Sequence, residues 1–248
     1  MPPKRTICKI KDITDSYYTK HDLFDLPLRL LLCGKSQLSG KSTFILNLFR
    51  DSFFGKFFKG ENIYYISDNR VDNKLRLLQD FKSIPDENIM PYDEDILTEL
   101  YDTLEENFME AVDDKEKPPN VMIVFDDVGH SNSLKNKQAG IVSKLISNGR
   151  HINCSQIYSI QNYTMASTTL RNQVTGAILF SMSNKSLDMV EQDFNYTDSR
   201  KTFLKMFNDV ARSKPHSFLA VSFTRGAGEM YMDSDFKAID VSKYEAKV

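Results

Sequence analysis

The sequence predicts an α/β fold built on a doubly wound, mostly parallel sheet. Short apolar runs alternate along the chain with segments whose apolar residues recur at helical spacing, as in parallel strands joined by helices. Leu30–Cys33 leads into a loop that ends Gly-Lys-Ser-Thr, and Val121–Phe125 ends in two carboxylates. Polar groups of this kind favour an open α/β sheet, because its ligands bind at the carboxyl ends of the strands.

The predicted elements follow one another along most of the chain. Residues 1–27 are interpreted as an N-terminal segment with one strand near Ile7–Ile10, and residues 28–248 as a single domain. Met230–Met232 is expected to pair back as a C-terminal edge hairpin. After the first strand we expect helix 43–49, strand 62–67, helices 73–81 and 94–112, strand 121–125, helix 137–148, strand 154–160, strand 176–181, helices 187–194 and 200–211, and strand 217–223.

Two of the predicted helices carry more specific expectations. In helix 73–81 the apolar residues Leu75, Leu77, Leu78 and Phe81 recur at helix-like spacing. Helix 137–148 is followed by Gly149, which fits a glycine cap at the end of a helix.

Composition limits the class of protein. The 248 residues include 32 basic and 34 acidic side chains, so the net charge of -2 does not indicate a nucleic-acid-binding protein, although local basic loops remain compatible with one. The three cysteines form no CxxC pair and indicate reduced thiols, and the four histidines lack zinc spacing. No apolar stretch approaches the roughly 18 residues of a membrane span. We therefore expect a soluble, intracellular protein without a membrane span.

The loop after Cys33 predicts a phosphate-binding site. Successive backbone N–H groups followed by a helix N-terminus suit the negative charge of a triphosphate. Gly40 lets the backbone approach, Lys41 reaches the β and γ phosphates, and the Ser42 hydroxyl ligates magnesium, so ATP and Mg²⁺ are the expected cofactors. The predicted cofactor-binding residues are Gly34, Lys35, Ser36, Gln37, Leu38, Ser39, Gly40, Lys41, Ser42 and Thr43.

The loop departs from the usual Gly-x-x-x-x-Gly-Lys pattern at its first glycine. Lys35 occupies that position, and the available glycine, Gly34, lies one residue early. The turn geometry of the loop is therefore open from the sequence. A strand, turn and helix that bind no ligand is the alternative interpretation.

The two carboxylates after Val121–Phe125 predict the catalytic end of a buried central strand. Asp126 would share the magnesium ion with Ser42. Asp127 takes the next position, from which a general base can orient or deprotonate the attacking water. The alternative for Asp127 is a solvated acid at the strand end, or one that supports the magnesium ion indirectly.

Gln161 closes a further predicted strand, 154–160, which follows the Asp126 strand in the sequence. An amide at that point can hydrogen-bond both the γ-phosphate and the attacking water. This arrangement is similar to the polar sensor on the additional strand of one large class of P-loop ATPases.

The order of these motifs resembles that of a known family. Gly149-Arg150-His151 precedes the Gln161 strand, and Leu170-Arg171-Asn172 is followed by Gly176–Phe180. Together with the loop and the Asp126 strand, they resemble the FtsK/HerA superfamily of DNA-pumping ATPases, most closely its viral genome-packaging branch of poxviruses, nucleocytoplasmic large DNA viruses and virophages. The resemblance covers about Leu30 to Phe180.

This resemblance implies a RecA-like, additional-strand P-loop core. It also implies an ATPase that assembles into a homo-oligomeric ring, a pentamer or hexamer, hydrolyses ATP at subunit interfaces and moves double-stranded DNA into a preformed capsid. Double-stranded DNA and a capsid or portal-like vertex component would be its partners. The virion, or the viral assembly site in the host cytoplasm, would be its location.

Other roles follow from the resemblance less directly. Asp127 stands where cellular relatives have glutamate, which reaches one methylene further, so Gln161 would help to hold the water. Arg150 and Arg171 are expected as catalytic residues, one of them an arginine finger across a subunit interface, with Arg225 a remote alternative. A charge at a helix C-terminus and a salt bridge are the respective structural alternatives for Arg150 and Arg171. DNA contact is expected at Lys135 and Lys137, either of which could also be a solvated surface lysine.

Two other functions remain open from the sequence. One is a kinase or GTPase-like P-loop switch, although the long segment between Lys41 and Asp126 and the lack of an Asn-Lys-x-Asp motif weigh against the GTPase. The other is a nucleotide-binding assembly subunit with a degenerate loop, which Lys35 alone supports.

Overall fold

The computed structural model describes residues 17–35, 39–69, 71–128 and 140–245. Within these ranges eight strands form one sheet in the order β3-β2-β4-β5-β1-β6-β7-β8. Strands β1 to β6 pair in parallel, whereas β7 pairs antiparallel with β6, and β8 pairs antiparallel with β7. The strands are β1 (Arg29–Cys33), β2 (Ile63–Ile66), β3 (Ile89–Met90), β4 (Val121–Asp126), β5 (Cys154–Ile160), β6 (Gly176–Phe180), β7 (Phe218–Ser222) and β8 (Tyr231–Met232).

Helices cover both faces of this sheet, so the predicted doubly wound α/β fold is confirmed. One hydrophobic core lies between the sheet and α3, α4, α6 and α7, and the other lies between the opposite face and α1 and α2. The helices are α1 (Lys41–Leu48), α2 (Asn73–Lys82), α3 (Glu94–Asp113), α4 (Ile141–Asn148), α5 (Thr168–Gln173), α6 (Asn184–Phe194) and α7 (Arg200–Ala211). None of the described helices is long and apolar enough to cross a membrane.

The position of β5 defines the class of sheet. It lies between β1, which leads into the glycine-rich loop, and β4, which ends in Asp126. The register pairs Asp126 with Ser159 and Cys33 with Ile160, so all three strands end at the same edge. This inserted strand is the additional strand that the sequence predicts.

The structure differs from the sequence prediction at several elements. The short strand β3 and the one-and-a-half-turn helix α5 were not predicted, because neither is long enough to show a period. In α2, Leu75 and Leu78 are buried, whereas Leu77 and Phe81 are 57% and 56% exposed. The buried face of α2 therefore contains fewer of its apolar residues than the helical spacing predicted. The predicted strand near Ile7–Ile10 and helix residues 137–139 lie outside the described residues.

The last part of the predicted N-terminal segment packs on the domain. Thr19 and Leu26 form an isolated antiparallel bridge, and Tyr17, Phe24 and Leu26 are buried. Phe24 occupies the space beside Gly176, where a Cβ atom would lie 2.5 Å from its ring. The division of the chain at residue 27 stays a prediction.

Gly149 is the C-cap residue of α4, as predicted, but its backbone is right-handed rather than left-handed. Gly149 has φ −53°, and the chain continues from α4 into a 3-10 turn, Gly149–Ile152, that ends at Asn153 with φ 53°. Glycine is needed here for space, because a Cβ atom would lie 2.1 Å from Nε2 of Gln156. That amide donates a hydrogen bond to the Leu145 carbonyl at 2.7 Å and so holds the end of α4 against β5.

Candidate functional site

A cavity of about 580 Å³ opens at the carboxyl ends of the parallel strands. Its floor is the glycine-rich loop and the start of α1, and polar side chains from β2, β4 and β5 line one side of it. The lining residues are Ser39, Gly40, Lys41, Ser42, Thr43, Phe44, Asn47, Tyr65, Ser67, Asn69, Asp72, Lys74, Leu75, Asp126, Asp127, Gln161, Phe180, His216 and Phe218.

The described ends of the glycine-rich loop are fastened to each other. The Ser39 hydroxyl donates to the Lys35 carbonyl at 2.8 Å, and Lys41 Nζ donates to the Gly34 carbonyl at 2.7 Å. Gly40 precedes α1 with φ 80°, a conformation that glycine adopts without strain. Residues 36–38 of the predicted cofactor-binding set lie outside the described residues.

The structure explains the displaced glycine of the loop. A Cβ atom at Gly34 would lie 2.6 Å from Cβ of Phe180 and 2.8 Å from Cβ of Ser39, so position 34 needs glycine for close packing. Lys35 is exposed, and it is not among the described residues with a left-handed backbone. Position 35 therefore does not require glycine in this chain.

Lys41 is held in the cavity by its surroundings. Its side chain is buried, and burial lowers the pKa of its ammonium, an effect that the nearby charges of Asp126 and Asp127 oppose. The ammonium donates a hydrogen bond to a neutral backbone carbonyl, that of Gly34. It can therefore exchange the Gly34 carbonyl for a stronger anionic acceptor.

Asp126 lies at the end of β4 and is nine-tenths buried. Burial raises the pKa of its carboxyl, although the Ser159 and Tyr65 hydroxyls favour the charged form. The Tyr65 hydroxyl donates to Oδ2 of Asp126 at 2.6 Å, which leaves Oδ1 for another ligand. Ser159 Oγ is buried opposite Asp126 and makes no hydrogen bond of regular geometry within the described residues. Oδ1 of Asp126 and the neighbouring Ser159 hydroxyl are oxygens that fit a small hard cation or a water bound to it.

Asp127 and Gln161 contact each other directly. Nε2 of Gln161 donates to Oδ1 of Asp127 at 2.5 Å. Asp127 has φ 54°, a left-handed conformation that aspartate tolerates better than most residues, and it turns the chain immediately after the strand. The structure thus brings together the two residues that the sequence assigned to the attacking water.

Arg150 lies at the opposite edge of the sheet from the cavity. It belongs to the 3-10 turn before β5, whereas Gln161 follows the end of that strand. The seven residues of β5 span about 20 Å at the usual rise per residue. The side chain is exposed, and its Nε lies 3.3 Å from Nε2 of His151. Arg150 therefore does not reach the cavity of its own subunit.

Arg171 makes the salt bridge that was its structural alternative. Its Nη1 lies 2.7 Å from Oδ2 of Asp193, which also accepts from the Tyr163 hydroxyl at 2.7 Å. These contacts attach α5 to α6, and a catalytic role for Arg171 stays a prediction. Arg225 contacts Glu229 at 3.1 Å, beyond the end of β7 at the edge away from the cavity. Lys135 and Lys137 lie outside the described residues.

Among the cavity residues that the sequence did not predict, two carry polar groups that reach the predicted site residues, Tyr65 and His216. Tyr65 was interpreted only as part of a strand, and its alternation along β2 gave no sign that the hydroxyl would meet Asp126. His216 was dismissed for lack of metal spacing, yet it reaches the glycine-rich loop from the turn before β7. The described residues include no group of three or more His, Cys, Asp or Glu side chains that could form an all-protein metal site.

The sheet order, the Lys41 loop and the acids at the end of β4 define a P-loop ATPase of the additional-strand class. The comparisons with known proteins identify the family within that class. The sequence model of the family described as Poxvirus A32 protein matches residues 15–222, and the chain belongs to this family. The poxvirus part of the resemblance seen in the sequence is thereby confirmed.

Solved structures show the same fold. The genome packaging NTPase B204 of Sulfolobus turreted icosahedral virus 2, in complex with AMPPCP, is 16% identical with a TM-score of 0.53, and the match covers 80% of this chain and 94% of that chain. B204 of Sulfolobus turreted icosahedral virus, described as its DNA-packaging ATPase, is 14% identical with a TM-score of 0.54 and the same coverage of 80% and 94%.

A more distant match links the fold to a larger protein. ATPases 2 and 3 of EssC from Geobacillus thermodenitrificans are 13% identical with a TM-score of 0.50, and the match covers 70% of this chain and 35% of that chain. At these identities the likeness is one of fold. No curated protein matches the chain significantly.

Proposed function

We propose that this chain binds ATP with Mg²⁺ in the 580 Å³ cavity and hydrolyses it to drive double-stranded DNA into a preformed capsid. The observation that carries the proposal is the convergence of a phosphate loop, a buried carboxylate and an acid–amide pair on one cavity. Membership of the poxvirus A32 family supports the packaging role. No observation on the structure favours a kinase, a switch or an inactive assembly subunit.

The start of α1 would bind the phosphates. Backbone N–H groups at a helix N-terminus carry partial positive charge and point along the helix axis toward an anion. Lys41 would leave the Gly34 carbonyl, 2.7 Å away, for the β and γ phosphate oxygens. This exchange replaces a neutral acceptor by a charged one and so ties the loop to the nucleotide.

Asp126 and Ser42 would hold the magnesium ion, with Ser159 available to a water in its shell. The fit rests on the free Oδ1 of Asp126 and on the buried Ser159 hydroxyl that has no regular partner within the described residues. Magnesium prefers oxygen ligands and keeps several waters, which suits one carboxylate and two hydroxyls. The ion would neutralise charge on the β and γ phosphates.

Asp127 and Gln161 would handle the attacking water. The amide holds Oδ1 of Asp127, so Oδ2 is the oxygen that remains to accept a proton. Attack of the water oxygen on the γ phosphorus would break the bond to the β–γ bridging oxygen, release ADP, and pass one water proton to Asp127. Aspartate reaches one methylene less far than glutamate, and Gln161, which contacts Asp127, would help to hold the attacking water.

Arg150 would stabilise the phosphates of a neighbouring subunit. Within one subunit it lies at the far edge of the sheet, so its charge can act on a nucleotide only across an interface. A closed ring, with five or six subunits, repeats that interface and leaves each cavity completed by the next subunit. Double-stranded DNA in the channel, a capsid vertex component as anchor, and a location in the virion or at the viral assembly site complete the proposal.

The direct test is ATP hydrolysis by the purified chain. We expect phosphate release that requires Mg²⁺ and whose rate per subunit rises both with added double-stranded DNA and with protein concentration. Turnover by a monomer that DNA does not change would refute the motor. Failure to bind ATP at all would refute the assigned site.

A mixing experiment tests the interface. Arg150→Ala subunits and Asp127→Asn subunits are each expected to be nearly inactive alone, whereas a mixture contains interfaces where an intact Arg150 faces an intact Asp127. Partial recovery of hydrolysis on mixing supports action across the interface. If the two inactive proteins exchange subunits without recovery, Arg150 is not the residue supplied by the neighbour.

A further inference from the structure

The turn before β7 holds a histidine where the backbone favours glycine. Ser217 N–H donates to the Lys214 carbonyl at 3.2 Å and closes a four-residue turn, with Pro215 and His216 at its centre. His216 has φ 66°. Proline followed by a left-handed residue is the pattern of a type II turn, whose third position is usually glycine or asparagine. A left-handed backbone is unfavourable for histidine, so the presence of His216 at this position is explained if its imidazole ring has a function.

The direction of β7 brings this histidine to the cavity. Because β7 runs antiparallel to β6, its first residues lie at the carboxyl edge of the parallel strands. The His216 ring lies over Gly40, where a Cβ atom would be only 3.3 Å from Nδ1. The side chain is exposed and lines the cavity beside the start of α1.

The cavity has two chemically different walls. Asp126, Asp127 and Gln161 form the acidic wall, where the γ phosphate and the attacking water are expected. The opposite wall, which we call the aromatic wall, is backed by rings in mutual contact: the Phe44 and Phe218 centroids are 5.1 Å apart, and those of Phe180 and Phe218 are 5.4 Å apart. The aromatic wall consists of Phe44, Asn47, Phe180, His216 and Phe218.

We propose that His216 stacks on the nucleobase of the bound nucleotide and so acts as its base-contacting residue. The inference rests on the proposed function. With the γ phosphate at the acidic wall, the α phosphate and the base extend in the other direction, past Thr43 toward the aromatic wall. An imidazole ring there can stack on any base, because every base has a π face.

The aromatic wall also predicts weak selection between bases. Asn47 contributes an amide group to the aromatic wall, but Nδ2 of Asn47 already donates to the Thr43 carbonyl at 2.8 Å. Stacking alone does not read the hydrogen-bonding edge of a base. We therefore expect ATP and GTP to bind with affinities that differ by less than about tenfold, and a larger preference would show that hydrogen bonds rather than stacking select the base.

The test separates base contact from phosphate contact. Affinities for ATP and for inorganic tripolyphosphate are measured by competition with a fluorescent nucleotide, on the full chain and on His216→Gly. We expect the glycine variant to lose about tenfold in ATP affinity, within the range for one base–aromatic stack, and to bind tripolyphosphate as before. Its Tm should be unchanged or raised, because glycine suits the left-handed position.

Two further variants complete the design. His216→Phe keeps a ring and should retain most of the ATP affinity, whereas His216→Asn keeps the turn preference without the ring and should behave like the glycine variant. Unchanged ATP affinity in His216→Gly would overturn the proposal, and an equal loss for tripolyphosphate would show a phosphate contact instead. If the unmodified chain itself does not bind ATP, the proposed function fails before this inference is reached.

Discussion

The two ends of the parallel strands, here called the carboxyl edge and the amino edge of the sheet, differ in how their central charged side chains are paired. At the carboxyl edge Asp126 and Asp127 lie near Lys41, and each carboxylate accepts a hydrogen bond from a neighbouring strand or loop. At the amino edge Arg29 and Arg150 lie near each other, and neither forms a salt bridge within the described residues. Two cations near each other that make no ion pair are unfavourable in an isolated subunit, and the proposed action of Arg150 across an interface would account for this arrangement.

Arg29 makes the contrast clear because it is buried. Its side chain is 8% exposed, and Nη1 donates to the Ile146 carbonyl at 3.1 Å and to Gln173 Oε1 at 3.0 Å. Burial lowers the pKa of this guanidinium, with a smaller effect of the Arg150 charge in the same direction. Neutral acceptors hold this cation in place, and within the described residues no carboxylate pairs with it.

Removing the charge of the phosphate loop should have the largest effect. We expect Lys41→Ala to reduce ATP hydrolysis to background, because a buried ammonium that moves from a carbonyl to the phosphates is lost. Phosphate release and circular dichroism are measured together. Lys59→Ala is the matched control, since Lys59 is exposed and lies outside the cavity, where it pairs with Glu61. Hydrolysis by Lys41→Ala at the normal rate would remove the loop from the site.

The second-largest effect should come from removing the charge of Arg150. We expect Arg150→Ala to lower hydrolysis about a thousandfold, the lower limit usual for an arginine finger, with nucleotide affinity nearly unchanged. Arg225→Ala provides the comparison at the same edge, because Glu229 already pairs with that arginine. If Arg225→Ala is the more impaired variant, the two arginines exchange roles.

The acid–amide pair should show a coupled, intermediate effect. We expect Asp127→Asn to lower the turnover rate about a hundredfold, and Gln161→Ala about tenfold, while both retain ATP binding. Because the two side chains share one hydrogen bond, the double variant should be no slower than Asp127→Asn alone. Multiplicative losses would mean that the two residues act independently, and turnover measured at saturating ATP decides between these outcomes.

The smallest expected effect concerns stability. Burial raises the pKa of Asp126 above its usual 3.8, so the native state holds that proton more tightly than the unfolded chain does. Stability contributed by this group is therefore lost as the pH rises from below 3.8 through the raised pKa. Without magnesium at neutral pH, we expect Asp126→Asn to raise Tm by about 2–4 °C, the shift that corresponds to about 1 kcal/mol in a domain of this size.

The pH dependence provides the check on that prediction. The Tm advantage of Asp126→Asn should grow between pH 4 and pH 7 and shrink when Mg²⁺ and nucleotide are added to the unmodified chain. Asp102→Asn, which alters an exposed acid on α3, should show no such trend. A variant less stable than the unmodified chain at every pH would show that the ionised Asp126 is stabilised by its surroundings.

The parts of this fold that follow a period or a short motif could be predicted from the sequence. Apolar runs placed β4 and β5 within a residue of their ends, and the polar residues that follow them, Asp127 and Gln161, form the contact that strand adjacency implies. Both predictions succeed because the apolar runs mark where the strands end, and neighbouring parallel strands end at the same edge of the sheet.

Features that depend on three-dimensional neighbours could not be predicted. Gly34 and Gly149 are glycines because Phe180 and Gln156 fill the space above them, and these contacts exist only once the strands have assembled into the sheet. His216 faces the loop only because β7 reverses direction, which a strand-length apolar run does not reveal. Leu77 and Phe81 follow the helical spacing but face outward. The spacing alone does not show how much of the helix surface is covered by the rest of the domain.

The contact between Arg29 and the Ile146 carbonyl has a mechanical consequence. Arg29 begins β1, whose other end leads into the phosphate loop, and Ile146 belongs to the last turn of α4, from which the chain continues to Arg150. Five strand residues, about 13 Å, thus join the phosphate loop to the end of α4, which precedes Arg150. In the proposed ring, a displacement of the phosphate loop along β1 would therefore be passed through Arg29 to the end of α4, next to the turn that carries Arg150.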